Sequence, residues 1–236
     1  MEKMAAPCFQ FGCLPDFEAR SPVTARKREV RWLPMTNKHS RLPRNGILGD
    51  KVLLRAPTSR DCAEFIALNR ASRRFHRGLV SPPTTPEQFA AFLKRSSTET
   101  SICVFICLVA DGSIIGAMSL SQIFRAGFQN AYLGYYVGAG YANQGYMTEA
   151  LELLLNYAFR QLKLHRLEAN IQPGNVASIA LVKRAEFRKE GYSPRYLKIS
   201  GRWQDHERWA ILAEDWRARK EPRAMGLSAG RVNPQQ

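Results

Sequence analysis

The stretch Tyr135-Tyr136-Val137-Gly138-Ala139-Gly140-Tyr141-Ala142-Asn143-Gln144-Gly145-Tyr146-Met147-Thr148-Glu149-Ala150 decides how the rest of the chain is read. Its apolar start suits a strand and its middle is a glycine-containing loop. Its end opens a helix in which Leu151, Leu154, Leu155, Ala158 and Leu162 recur with helical periodicity. A strand running through such a loop into a helix leaves the first helical N–H groups without intrahelical acceptors. With the helix dipole, those groups make a ready site for a phosphate or pyrophosphate. Gly145 lets an anion come close to the backbone. The spacing of Gly138, Gly140 and Gly145 is not the dinucleotide G-x-G-x-x-G, and there is no Gly-Lys-Ser/Thr of a P-loop. Glycine placement alone also fits an ordinary strand–turn–helix corner.

Downstream lies Pro173-Gly174-Asn175-Val176-Ala177-Ser178-Ile179-Ala180-Leu181. Pro-Gly makes a turn, Asn175 is a good N-cap, and Ser178 sits three residues into the helix, which by itself is routine capping. Upstream, Lys51-Val52-Leu53-Leu54-Arg55 reads as an opening strand. Thr58, Ser59 and Asp61 then start an amphipathic stretch to residue 73, and residues 87–94 form a second helix with Phe89, Ala90, Phe92 and Leu93. Strands follow at residues 102–109, 114–120 and 132–137, the first two joined by a hairpin turn at Asp111-Gly112. Beyond the long helix (residues 147–162) come a strand at 164–171 and a helix at 175–184. A final hairpin pairs 196–199 with 203–212 around Ser200-Gly201. This order is α+β, a mixed α/β chain with most sheet pairs antiparallel.

The chain has 236 residues, with 35 Lys+Arg against 20 Asp+Glu, a net charge of +15 that points to anionic partners. Residues 1–45 and 217–236 together hold fourteen Lys/Arg and five Asp/Glu, leaving +6 on the body. Residues 1–45 read as a basic, disordered extension and 217–236 as a basic flexible tail, on either side of a domain at 46–216. Met35 is a second candidate start, which would make the upstream stretch a translation artefact. No apolar run approaches the roughly 20 residues of a membrane span. The five cysteines (Cys8, Cys13, Cys62, Cys103, Cys107) include no Cys-x-x-Cys pair, so neither a disulfide framework nor a metal site is expected. Cys103 and Cys107 fall on one strand face as core, and the thiols fit a reducing, cytoplasmic setting.

Several motifs in order resemble the GNAT superfamily of N-acetyltransferases, and more closely its ribosomal-protein-alanine N-acetyltransferase branch, the RimJ type. They are Phe124-Arg125-Ala126-Gly127-Phe128, Tyr132-Leu133-Gly134-Tyr135, Gln144-Gly145-Tyr146-Met147-Thr148-Glu149-Ala150-Leu151, His165-Arg166, Asn175-x-x-Ser178, Glu190-Gly191-Tyr192 and Gly201-x-Trp203-x-Asp205-His206. The resemblance spans residues 50–216. It implies the GNAT fold, with helices on both faces of a single mixed sheet and a splayed central strand pair. It further implies acetyl-CoA as co-substrate, held by Tyr136, Val137, Asn143, Gln144, Gly145, Tyr146, Met147, Thr148, Asn175 and Ser178, with an oxyanion site at the Val137 backbone. Ala142, Asn143, Met147 and Ala185-Glu186-Phe187 depart from the family pattern.

The expected chemistry is direct acetyl transfer to an amine, which needs a neutral nucleophile and a proton for the departing thiolate. A protein α-amine titrates at about 8, against about 10.4 for lysine, so an N-terminal acceptor needs little help from a base. The candidates are Ser178 as acid and Glu168 or Asn170 on the strand at 164–171. For each there is also a structural reading, namely capping for Ser178 and a solvated or ion-paired strand position for Glu168. The expected acceptor is a protein N-terminus, such as that of a ribosomal protein, with weak RNA or ribosome contact through the basic arms. Two alternatives stay open: acetylation of a small amine, and a non-catalytic RNA- or ribosome-associated protein that keeps the fold.

Overall fold

Residues 101–108 and 114–124 form the centre of the sheet because most of their side chains are buried on both faces. In this computed structural model, residues 42, 43 and 45–219 are described. The readings of residues 1–41 and 220–236, Met35 included, lie outside them. The strands are β1 (Ile47–Leu48), β2 (Val52–Arg55), β3 (Ser97–Thr98), β4 (Ser101–Leu108), β5 (Ile114–Phe124), β6 (Asn130–Val137), β7 (Arg166–Ile171), β8 (Arg188–Ile199) and β9 (Arg202–Leu212). They form one nine-stranded sheet in the order β1-β2-β4-β5-β6-β7-β9-β8, with β3 added beside β4. Every pairing is antiparallel except β6 with β7.

The helices are α1 (Cys62–Ala71), α2 (Pro86–Arg95), α3 (Tyr146–Asn156), α4 (Val176–Arg184) and α5 (Ala213–Ala218). Strand alternation sorts them onto two faces. On β4, Ile102, Val104 and Ile106 join the cluster that holds Leu151, Leu154 and Leu155 of α3 and Leu181 and Val182 of α4. Phe105 and Cys107 point the other way, to Phe65 and Ile66 of α1 and Phe89 of α2. Burying each such side chain contributes about 1.5–3 kcal/mol. Cys103 and Cys107 are buried and free, as core residues would be.

Two carboxylates lock helix starts to the sheet. Glu149, in the first turn of α3, accepts the Lys51 and Val52 amides on Oε1 at 2.9 and 3.3 Å. Asp61, ahead of α1, accepts the Thr58 N–H at 2.6 Å and both Arg55 guanidinium nitrogens at 2.9 and 2.7 Å. Among the described residues no helix is long and apolar enough to cross a membrane.

Three departures from the sequence reading have a plain physical reason. The long helix is α-helical only to Asn156 and ends in a π-helical turn, Tyr157–Gln161, in which Leu162 N–H bonds the Tyr157 carbonyl. That wider turn seats Phe159 against Trp216, ring centroids 5.5 Å apart. Strand β8 starts at Arg188 rather than 196. Its first half lacks apolar alternation and carries Pro194, which an edge strand with register shifts tolerates. The expected boundary at residue 216 falls inside α5, and Arg219 beyond it donates to the Ala185 carbonyl and both Glu152 carboxylate oxygens.

Candidate active site

Strands β6 and β7 pair only at Asn130↔Arg166, Ala131↔Leu167 and Tyr132↔Glu168. Beyond Tyr132 they part, because β6 stays on β5 as far as Gly116↔Val137 and β7 stays on β9 as far as Ile171↔Glu207. Antiparallel alternation then decides which backbone groups face the opening. Gly138 N–H donates to the Ile115 carbonyl at 2.7 Å, so Gly138 and Tyr136 are turned to β5. Tyr135 and Val137 therefore turn their N–H and C=O groups into the splay. The Val137 carbonyl is met there by His76 Nε2 at 2.9 Å, and since a carbonyl only accepts, that nitrogen carries the hydrogen.

The strand runs on through a short 3-10 turn, Ala139–Tyr141, into the loop before α3. Asn143 (φ 61) and Gly145 (φ 85) are both left-handed, and Gly145 is the N-cap. Thr148 and Glu149 bond back to the Gly145 carbonyl at 3.0 and 3.2 Å. Among the described residues, the N–H groups of 143–147 donate to no protein acceptor. An anion would satisfy this run of donors at a helix N-terminus.

A cleft of about 550 Å³ joins the two features. Tyr136, Val137, residues 143–148, Asn175 and Ser178 all line it. Asn175 caps α4 by accepting Ser178 N–H on Oδ1 at 3.2 Å. Glu168 and Asn170 are not among the lining residues. Glu168 sits opposite Tyr132, the last paired position, and its carboxylate is held by Arg166 Nε at 2.8 Å. Arg166 also bonds Glu190, so Glu168 belongs to an ion-pair network. Asn170 lies opposite Arg208 on β9.

The sequence reading missed Tyr135 and His76. The Tyr135 hydroxyl lies 2.6 Å from Ser178 Oγ, and burial pushes the phenol up to about 12. Burial likewise raises the Tyr136 phenol, against whose ring His76 packs edge-on at 5.1 Å. His76 belongs to residues 72–85, which cross the open end of the splay. Ser72 Oγ accepts Ala139 N–H at 3.0 Å, the Gly78 carbonyl accepts from Gln172 at 2.7 Å, and Ser81 Oγ meets Ser200 Oγ at 3.3 Å. Strand parity could have assigned Tyr135 to the α4 face. Nothing local marks His76, whose partner is 61 residues away.

The family model described as an acetyltransferase (GNAT) domain matches residues 51–188. The chain belongs to this family. A Bacillus subtilis protein named probable N-acetyltransferase YjcK is 43% identical over 47% of this chain and 61% of its own length. The [ribosomal protein uS5]-alanine N-acetyltransferase of Escherichia coli is 41% identical over 44% of this chain and 53% of its own. The GNAT chain thus spans less than two thirds of either relative. RimJ of Mycobacterium smegmatis, solved in complex with CoA-disulfide, superposes with a TM-score of 0.64 at 27% identity, covering 70% of this chain and 83% of that one.

Proposed function

We propose that the chain transfers an acetyl group from acetyl-CoA directly to the N-terminal α-amine of a protein, with ribosomal proteins as the acceptor class. The observation that carries this reading is the run of free amides at residues 143–147, continuous with the open edge of β6. Those amides fit a pyrophosphate, and the open edge of β6 fits the amides of a pantetheine arm. Bound acetyl-CoA supplies an activated thioester. Val137 N–H faces the splay, which supports a role for it in holding the negative charge that develops on the acyl oxygen. Ser178 Oγ, on the same cleft, can give a proton to the leaving sulfur. An α-amine that titrates at about 8 is partly neutral at pH 7 and needs no strong base. Glu168, committed to Arg166, has no part in this scheme.

The protein acceptor is supported by the 41% identical relative that carries a ribosomal protein in its name. The test is thiol release from acetyl-CoA with peptides that begin Ala or Ser, beside spermidine and beside RNA binding. Turnover with free-α-amine peptides, and none with spermidine, is the expected result. Turnover with spermidine alone would move the reading to small amines. RNA binding without thiol release would point to a non-catalytic protein.

A further inference from the structure

We propose that Tyr135 is a positioning residue that acts through Ser178, donating its phenolic hydrogen to Ser178 Oγ so that the serine's own hydrogen points at the departing sulfur. This rests on the acetyl-transfer reading above and adds a role for a side chain from the opposite wall of the cleft. In that transfer the amine forms the new N–C bond while the C–S bond breaks and its electron pair leaves on sulfur. Sulfur takes the proton of Ser178 Oγ, the amine nitrogen gives its proton to water, and Oγ recovers one from that water.

Relative acidity assigns the donor. The two oxygens are 2.6 Å apart, within the range of a well-formed O–H···O bond. A phenol is the better donor of a phenol–alcohol pair. The other acceptor within reach of Tyr135, the Ser178 carbonyl, is 3.4 Å away. With its phenol held up at about 12 by burial, Tyr135 keeps its hydrogen throughout the neutral range. Among the described residues the Tyr135 hydroxyl is the hydrogen-bond partner of Ser178 Oγ, which makes no back-bond to a carbonyl of the preceding turn. Its hydroxyl hydrogen is therefore left for the cleft, and an oxygen that accepts one hydrogen bond donates a stronger one. Tyr135 and Val137 are two apart on β6, so this pair stands beside the same open backbone edge that faces the splay.

The test compares the full chain with Tyr135→Phe, Ser178→Ala and the double variant, using acetyl-CoA and whichever acceptor the parent turns over. Tyr135→Phe should lower kcat by about tenfold, the loss of one neutral hydrogen bond, with KM for acetyl-CoA and CoA affinity by calorimetry unchanged. In the Ser178→Ala background, the same substitution should cost nothing more. An unchanged kcat, or a full additional loss in the double variant, overturns the proposal. So does loss of CoA affinity or of the folded state in Tyr135→Phe, since the hydroxyl would then serve packing. A parent that releases no thiol with any amine overturns the acetyl-transfer reading itself, which separates the two failures.

Discussion

At Gly116 a Cβ would lie 2.4 Å from the Tyr136 carbonyl oxygen and 3.0 Å from Val137 Cα. Both are backbone atoms of the strand that walls the cleft, and neither can swing aside as a side chain would. Gly116→Ala is expected to push β5 and β6 apart where Val137 faces the splay. It should lower stability by about 1–3 kcal/mol in denaturant titrations and raise KM for acetyl-CoA. Gly145 is the opposite case: no atom lies within 4 Å of its Cβ position, but its φ is +85. Gly145→Ala should therefore cost only about 1–2 kcal/mol of backbone strain, measured the same way, with CoA still bound. The role of Gly145 could be read from its place before a helix. That of Tyr135 could not, because a tyrosine within a strand reads as core until the fold sets Ser178 against it.

Between β2 and α1, Asp61 joins two elements. Burial raises its carboxyl, but the Arg55 guanidinium and the Thr58 N–H and hydroxyl together hold it below its ordinary value. A carboxylate depressed in the folded state stabilises above its ordinary pKa and loses that contribution as pH falls through the folded one. Asp61→Asn should thus cost about 2 kcal/mol at pH 7, and the gap from the parent should begin to narrow only as pH falls below about 4 in thermal melts across pH. How legible each element was follows from the same physics. The strands at 102–109 and 114–120 and the Asn175 cap stood out because apolar runs and capping residues are local signals. The first half of β8 did not, since its residues are held by pairing with β9 rather than by burial. The π-helical turn was equally hidden, because helical periodicity in a leucine-rich stretch does not register one extra residue. Likewise, the Arg166 pairing of Glu168 depends on side-chain geometry, which strand spacing does not show.

Across the whole molecule, the C-terminal side of the domain is fastened by Arg219, whose guanidinium bonds both oxygens of Glu152 at 2.7 Å and the Ala185 carbonyl at 3.2 Å. A chain cut after Trp216 should therefore melt lower than one cut after Lys220, by the equivalent of about 1–2 kcal/mol. The positive excess that pointed to anionic partners lies largely on residues 1–45 and 217–236, and the cleft offers its anion site through backbone amides instead. The central claim is that this strand–loop–helix holds CoA. Calorimetric titration of CoA into the full chain, beside Gly145→Glu, tests it most directly. The account predicts one saturable site in the parent and an affinity lower by about tenfold or more in the variant, as a carboxylate meets the pyrophosphate. Absence of saturable binding to the parent, or unchanged affinity in the folded variant, would contradict it.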